Sequence, residues 1–272
     1  MDVLIHIIIV THDSSAVLPR CLEHIRNQNI PIASLIIVDS GSSDISYLED
    51  LRKRDDIKLI LTDNIGFSQA NNLGLKEICT QGGIVLFLNP DAFMTDNFIL
   101  NAIELLNKNR EAAIVSGKLL GFDIHSGKES GKLDSAGIYR KWYGRWYDRG
   151  QGEVDVGKYD QAETVPAICG ALMVCRMVAL KQYDGEVFDR DFSLYKEDIE
   201  LSLRLRRDGW KLVYDPALIA YHCRGWENKR KKMDFELRIM AAKNEVLLYQ
   251  KHPSPYIIWA FFKYLLVCIF RV

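Results

Sequence analysis

Four short apolar or nearly apolar runs divide the first third of the chain: LIHIIIV at 4–10, LIIV at 35–38, IKLIL at 57–61 and IVLFL at 84–88. Runs of this length with no strict alternation predict strands buried on both faces. Between the first two, Val17, Leu18, Cys21, Leu22 and Ile25 recur at helical spacing within residues 14–27. A shorter helical stretch covers 48–53, and small residues mark a helix over 67–79. Strand and helix alternating in this way predict βαβ units, and so an α/β fold with a mostly parallel central sheet flanked by helices. Ligands of such sheets bind beyond the carboxyl ends of the strands. Asp39, Asn64 and Asp91 all fall there.

Further along, helical spacing covers 98–107, and 113–115 reads as a short strand. From 121 to 164 the periodicity fades into a stretch rich in Gly, Asp, Lys and aromatics (Tyr139, Trp142, Tyr143, Trp146, Tyr147), read as loop and short hairpin in a substrate-facing lobe. Residues 165–176 return to an apolar run containing Gly170. A helix over 199–207 ends at Gly209, two short strands follow at 211–214 and 218–221, and 235–250 reads as an amphipathic helix. Pro253 and Pro255 break it, and 256–272 is strongly apolar.

Composition adds a bound and an asymmetry. At 272 residues, 48% hydrophobic and 26% charged, the chain is a globular protein with a sizeable core. Its net charge of −1 hides ten Lys/Arg against four Asp/Glu between Arg224 and Val272, so that segment carries +6 and the rest −7. A basic end on an acidic body suits an anionic surface such as a membrane, or simply a solvated helix face. Six scattered cysteines without a C-x-x-C pair argue against zinc and disulfides and for free thiols in a reducing compartment. The apolar start lacks the basic flank of a signal peptide.

Three acidic stations carry the candidate chemistry. Asp39 in VDSGSSD ends a strand and can accept from a nucleotide base or ribose, or close an Asx turn. Asp91 in LNPDA projects from a proline-fixed turn, and a hard cation beside phosphates takes such a carboxylate; a surface turn is the plainer alternative. In KEDIE, acids crowd a helix start, where the dipole favours them, or where one serves as general base. His222 follows an apolar strand and is a core residue or a metal ligand.

The order of THDSS (11–15), VDSGSSD (38–44), NIGFSQANNLG (64–74), LNPDA (88–92), CGALMVCR (169–176), LYKEDIELSLRLRRDGWKLVYDP (194–216) and YHCRG (221–225) resembles family 2 of the inverting glycosyltransferases, with the GT-A fold, in its rhamnosyltransferase-like branch. The resemblance runs from about Ile7 to His252. It implies a catalytic domain over 1–226, with a nucleotide-sugar half to about 115 and an acceptor half from about 116, followed by a basic helix and apolar segment over 227–272. It implies that Thr11 and Asp13 lie near the nucleotide, that Asp39 binds the pyrimidine, and that Asn64 and Gly66 line the pocket with Asn71 behind. Asp91 matches the last acid of the family's D-x-D element and would hold Mg²⁺ or Mn²⁺. Asn89 replaces the first acid, which implies weaker metal binding. Asp198 matches the catalytic base, Glu197 a supporting acid, and His222 a histidine that completes the metal site in some members. Gly170 and Ala171 would border the acceptor.

The implied reaction moves a sugar from a nucleoside diphosphate, dTDP-rhamnose or a UDP-sugar, to a glycan or lipid-linked hydroxyl in cell-surface polysaccharide synthesis. The alternatives are a weakly catalytic nucleotide-sugar scaffold, or a sugar nucleotidyltransferase. The second would carry a Gly-rich, basic loop where Thr11–Ser15 stands. A dinucleotide-dependent oxidoreductase lacks its G-x-G-x-x-G. No nucleic-acid partner is expected; a second copy of the chain is an open partner. The apolar C-terminal run is short for a span and is interrupted by Lys263. It reads as an in-plane, membrane-associating helix at the cytoplasmic face of the cell membrane, or as a helix completing the core.

Overall fold

The computed structural model describes residues 3–80, 82–223 and 234–271. The basic cluster Lys229–Lys232 and the 226/227 boundary lie outside them.

Strands β1 (Ile5–Thr11), β2 (Ser34–Ser40), β3 (Ile57–Thr62) and β4 (Ile84–Leu88) pair in parallel in the order β3-β2-β1-β4. Helices α1 (Leu18–Arg26) and α2 (Gly66–Lys76) provide crossovers. The 48–53 stretch forms two 3₁₀ turns, Ser46–Leu48 and Leu51–Lys53, instead of an α-helix. Side chains of β1 alternate between two cores: Ile7 and Ile9 pack with Leu18 and Leu22 of α1, while Ile8 packs with Ala70 of α2. Burial on both faces explains the continuous apolar runs.

Then come β5 (Ala92–Met94), α3 (Phe98–Lys108), β6 (Ala112–Asp123), β7 (Lys128–Ser135), β8 (Ile138–Arg140), β9 (Trp146–Asp148), β10 (Glu163–Thr164), β11 (Leu172–Arg176), α4 (Met177–Leu180), α5 (Glu197–Arg207) and β12 (Lys211–His222). The sheet becomes mixed here. Strand β11 runs antiparallel to both β4 and β6, and β12 lies parallel to β6 with β5 antiparallel on its other side. The expected short strand at 113–115 is thus twelve residues long, and the two strands over 211–221 are one. Its register shifts between Asp215 and Ile219. There Gly117 comes so close to β12 that an added Cβ would lie 1.7 Å from the Leu218 carbonyl oxygen.

At the C-terminus α6 (Phe235–Lys251) and α7 (Ile257–Phe270) pack on one another. They place Leu248, Tyr249 and Ala260 in the same core as Ile7 and Ile9. Lys263, expected to interrupt the apolar run, turns inward and pairs with the fully buried Glu245. Among the described residues no helix is long and apolar enough to cross a membrane. The fourteen residues of α7 span about 21 Å at 1.5 Å per residue.

Candidate active site

Because β1 to β4 are parallel, their carboxyl ends share one edge. Thr11 pairs with Asp39, and Ser40 with Thr62. Asp39 is 1% exposed and accepts from Thr11 Oγ1 (2.9 Å), the Ser42 backbone N–H (3.0 Å), the Ser42 hydroxyl and the Tyr47 hydroxyl (3.1 Å). The first and second loops are laced further by Asp13. Its Oδ1 accepts from the backbone N–H and the hydroxyl of Ser43, both at 2.8 Å, and these bonds hold its carboxyl below the ordinary range. Asn64 caps the Gly66 N–H (3.3 Å). Gly66 has φ +76°, and a Cβ there would lie 2.7 Å from the Ser193 carbonyl oxygen. Only glycine fits that approach of α2 to the segment before α5. Asn71 is buried, and its amide donates to the Phe67 carbonyl (3.0 Å), which puts it behind this wall.

The strand end of β4 carries the second station. The turn Asn89-Pro90-Asp91 is held by Asn89 N–H on the Ala171 carbonyl (2.9 Å), and Cys223 N–H donates to the Asp91 carbonyl (3.0 Å). Pairing of β5 with β12 sets Ala92 opposite His222. His222 Nε2 then lies 3.3 Å from Asp91 Oδ1, and its Nδ1 lies 2.7 Å from Asp134 Oδ2. Burial pushes the His222 imidazole pKa down, but the charges of Asp91 and Asp134 outweigh it and lift it to about 10. Burial pushes Asp91 up, and the His222 charge and hydrogen bond bring it below its usual value. Asp91 and His222 thus face each other as an ion pair. Among the described residues no set of three His, Cys, Asp or Glu side chains is arranged to hold an ion alone.

Asp134 was not marked by any motif. Its contact with His222 spans 88 residues and arises because β7 pairs with β6, which pairs with β12. A partner made by sheet order leaves no local signal in sequence.

The third station opens α5. Asp198 Oδ2 accepts from the Gly170 N–H (3.0 Å), and Oδ1 from Ile199 N–H (2.8 Å). A Cβ at Gly170 would lie 3.2 Å from Asp198 Cβ, so glycine is what admits the carboxylate. Burial raises the Asp198 pKa against these N–H bonds. Burial and the neighbouring Asp198 raise that of Glu197, whose Oε2 is buried without a hydrogen-bond partner. Glu200 is engaged elsewhere, by Arg204 (2.7 Å) and His252 (3.2 Å). The antiparallel β11 starts beside the end of β4, with Leu172 opposite Leu88. Gly170 therefore touches Asp198 while Ala171 holds the Asn89 turn, and the second and third stations share one backbone link.

A half-parallel, half-antiparallel sheet with an N-P-D turn and a buried acid pair at one edge has the architecture of the GT-A fold. Residues 6–165 match the model of "Glycosyl transferase family 2", and the chain belongs to that family. It is 24% identical over 237 residues to "Rhamnosyltransferase WbbL" of Escherichia coli (strain K12), covering 83% of this chain and 86% of that one. It is 28% identical over 120 residues to "O-antigen chain rhamnosyltransferase RfbN" of Salmonella typhimurium (strain LT2), covering 43% and 37%. Its fold is similar to that of GalNAc-T7 solved with UDP, GalNAc and Mn²⁺ (TM-score 0.67, 16% identity, 91% of this chain and 48% of that one). It is also similar to that of the mannosyltransferase PcManGT of Pyrobaculum calidifontis in complex with GDP-Man and Mn²⁺ (0.62, 17%, 96% and 69%).

Proposed function

We propose that this chain transfers a sugar, with inversion, from a nucleoside diphosphate to a hydroxyl of a glycan or lipid-linked acceptor in cell-surface polysaccharide synthesis. The donor is thymidine diphosphate rhamnose first and a uridine diphosphate sugar second, on the strength of the two rhamnosyltransferase relatives. The observation that carries the reading is Asp198: a carboxylate with raised pKa, oriented by the Gly170 N–H and linked through Ala171 to the Asp91 turn. It takes the acceptor hydroxyl proton as that oxygen bonds to the anomeric carbon and the bond to the diphosphate breaks. Glu197 keeps the pocket beside it weakly charged. The leaving group is an anion and needs no protonating acid. Asp39 reads the base through the lone pair of Oδ1 that Ser42 leaves free, with Thr11 and Asp13 framing the loop and Asn64 and Gly66 the pocket. Gly170 and Ala171 border the acceptor.

Asp91 would hold a divalent cation, Mg²⁺ or Mn²⁺, and His222 would join it only on giving up the Nε2 proton that it now shares with Asp91. Their donor atoms face each other, and Asp134 sits behind the imidazole as the orienting carboxylate that metal-binding histidines use. Such an ion supplies charge stabilisation to the leaving diphosphate. Two protein donors at most would leave the rest of such an ion's shell to oxygens of substrate or water. Incubation with labelled dTDP-rhamnose and UDP-sugars, with and without Mn²⁺, should give an acceptor-dependent glycoside. Donor binding without product would leave a scaffold and sink the transferase reading.

The same reading puts the protein at the cytoplasmic face of the membrane through α7. Ile258, Phe261, Phe262, Ile269 and Phe270 are each more than half exposed, and Lys263 is withdrawn onto Glu245. All six cysteines are free, which suits a reducing compartment. Phe261→Ser with Phe262→Ser and Ile269→Ser should abolish co-sedimentation with anionic phospholipid vesicles while transfer to a soluble acceptor persists. Unchanged sedimentation would remove α7 from this role, and a loss of self-association instead would assign the face to a second copy.

A further inference from the structure

Helix α5 begins abnormally. Tyr195 and Lys196 both occupy the left-handed region, at φ +71° and +75°. Non-glycine residues there are strained and persist only where the surroundings enforce them. A helix N-cap ordinarily combines extended backbone with a short polar side chain accepting from the first turn. Lys196 has neither, and the helix has no side-chain cap bond at this end. The first regular helical bond, Glu200 N–H to the Lys196 carbonyl (2.9 Å), starts directly from this left-handed residue. The turn therefore sets the direction of the first two helical residues, which are Glu197 and Asp198.

A residue far along the chain grips that turn. Asn244, on α6 and 4% exposed, donates from Nδ2 to the Leu194 carbonyl at 2.8 Å and to the Tyr195 carbonyl at 3.0 Å. Other α6 side chains fasten the preceding loop, where Lys251 pairs with Asp189 (2.7 Å) and Asp191 (2.6 Å) and Ser193 Oγ meets Met240 Sδ (3.6 Å), while the charge of Glu245 attracts Lys196. Asn244 alone among these reaches the peptide groups that enter the left-handed pair. Each carbonyl is given a directed donor, and the pair of bonds fixes the rotation of both peptide planes.

We infer that Asn244 is a positioning residue for proton abstraction: it locks the left-handed Tyr195–Lys196 turn from which the Asp198 carboxylate is aimed. The inference rests on Asp198 being the base. Asn244 bonds neither Asp198 nor any nucleotide-side residue, so its effect falls first on the chemical step, although the gripped turn adjoins Ser193, whose carbonyl accepts from the Phe67 N–H (2.7 Å) beside Gly66.

The test is steady-state kinetics of the full-length protein. Asn244→Ala should lower kcat roughly 100-fold, the cost of about 1 Å of misplacement at a reacting group. The KM for the nucleotide sugar should hold, and the acid limb of the pH–rate profile should move toward the ordinary carboxylate range as Asp198 becomes better solvated. Asn244→Ser, which keeps one donor, should fall between, and it decides the matter if the alanine variant does not fold. Adding Tyr195→Gly to Asn244→Ala should restore most of kcat, because glycine takes positive φ without strain. A residue that merely packed α6 would show no such rescue, since glycine only adds flexibility. Normal kcat and an unmoved pH profile in the folded alanine or serine variant overturn the inference, as does failure of the glycine to rescue. If Asp198→Asn retains turnover, the base assignment itself has failed, whatever Asn244 does.

Discussion

Asp198→Asn is expected to lower sugar transfer by roughly 10²- to 10⁴-fold, the contribution of a positioned general base, while nucleotide-sugar binding survives. The carboxamide keeps the shape of the side chain but cannot take a proton. It also has one oxygen to share between the Gly170 and Ile199 N–H groups that the carboxylate serves with two. Donor affinity survives because Thr11, Asp39 and Asn64 sit at other strand ends, held by their own hydrogen bonds. Single-turnover transfer and a thermal-shift titration with donor separate the two quantities. Near-normal turnover with a natural acceptor would remove Asp198 from the base role. The pH profile follows from the raised pKa: the unprotonated carboxylate disappears as pH falls through a value above the usual ~3.9 of an aspartate, so the parent enzyme loses activity there. Glu197→Gln provides the contrasting stability measurement. A raised folded-state pKa means the Glu197 contribution to stability is full below its unfolded value and is lost as pH rises through the folded one. Glutamine removes that loss, so the variant's Tm relative to the parent should climb with pH.

His222→Ala is expected to cost both stability and turnover. The imidazolium lies between Asp91 and the fully buried Asp134. Removing one partner of a buried ion pair strands the other, at a cost of about 3–5 kcal/mol, which denaturant unfolding would read directly. Asp134→Asn is the finer probe. It keeps the volume and a hydrogen-bond acceptor but removes the charge behind the ring, and losing such an outer partner weakens divalent-ion binding by roughly 10- to 100-fold. The Mn²⁺ concentration for half-maximal transfer should rise accordingly. If neither the unfolding midpoint of His222→Ala nor the Mn²⁺ response of Asp134→Asn moves, the group is not what joins sheet stability to the donor side.

These two experiments also mark where sequence was informative. The four parallel strands were legible because both faces of each are buried, which leaves an uninterrupted apolar signature. Strand β6 was read as three residues when it has twelve, for a physical reason: its middle is Ser116-Gly117-Lys118, which looks like a break. The chain tolerates it because Lys118 is buried in ion pairs with Asp155 (2.8 Å) and Asp160, and because Gly117 lets β12 approach. The stretch read as loop and short hairpin over 121–164 does hold the β8–β9 hairpin, and also β7 and β10, which were missed for a related reason, since β7 is mostly exposed and polar along its first half. In the candidate site, Asp91, Asp198 and His222 stand in motifs and could be named. Asp134 and Asn244 act through contacts 88 and about fifty residues long, and only the order of strands and the docking of α6 bring them into place.

The inward turn of Lys263 has a consequence for how the protein is made. As a linear segment, 256–270 carries a cation near its centre, and such a residue costs a helix roughly 2.5–3.5 kcal/mol for lateral insertion by the translocon. That cost disfavours the segment as a membrane span. Once the chain has folded, Glu245 pairs with Lys263, whose side chain is left 31% exposed, and the large exposed side chains of α7 are apolar. The greasy surface is thus a product of tertiary structure, displayed only by molecules that have already assembled the helix pair carrying Asn244. Folding of the helix pair is in that sense what creates the apolar face.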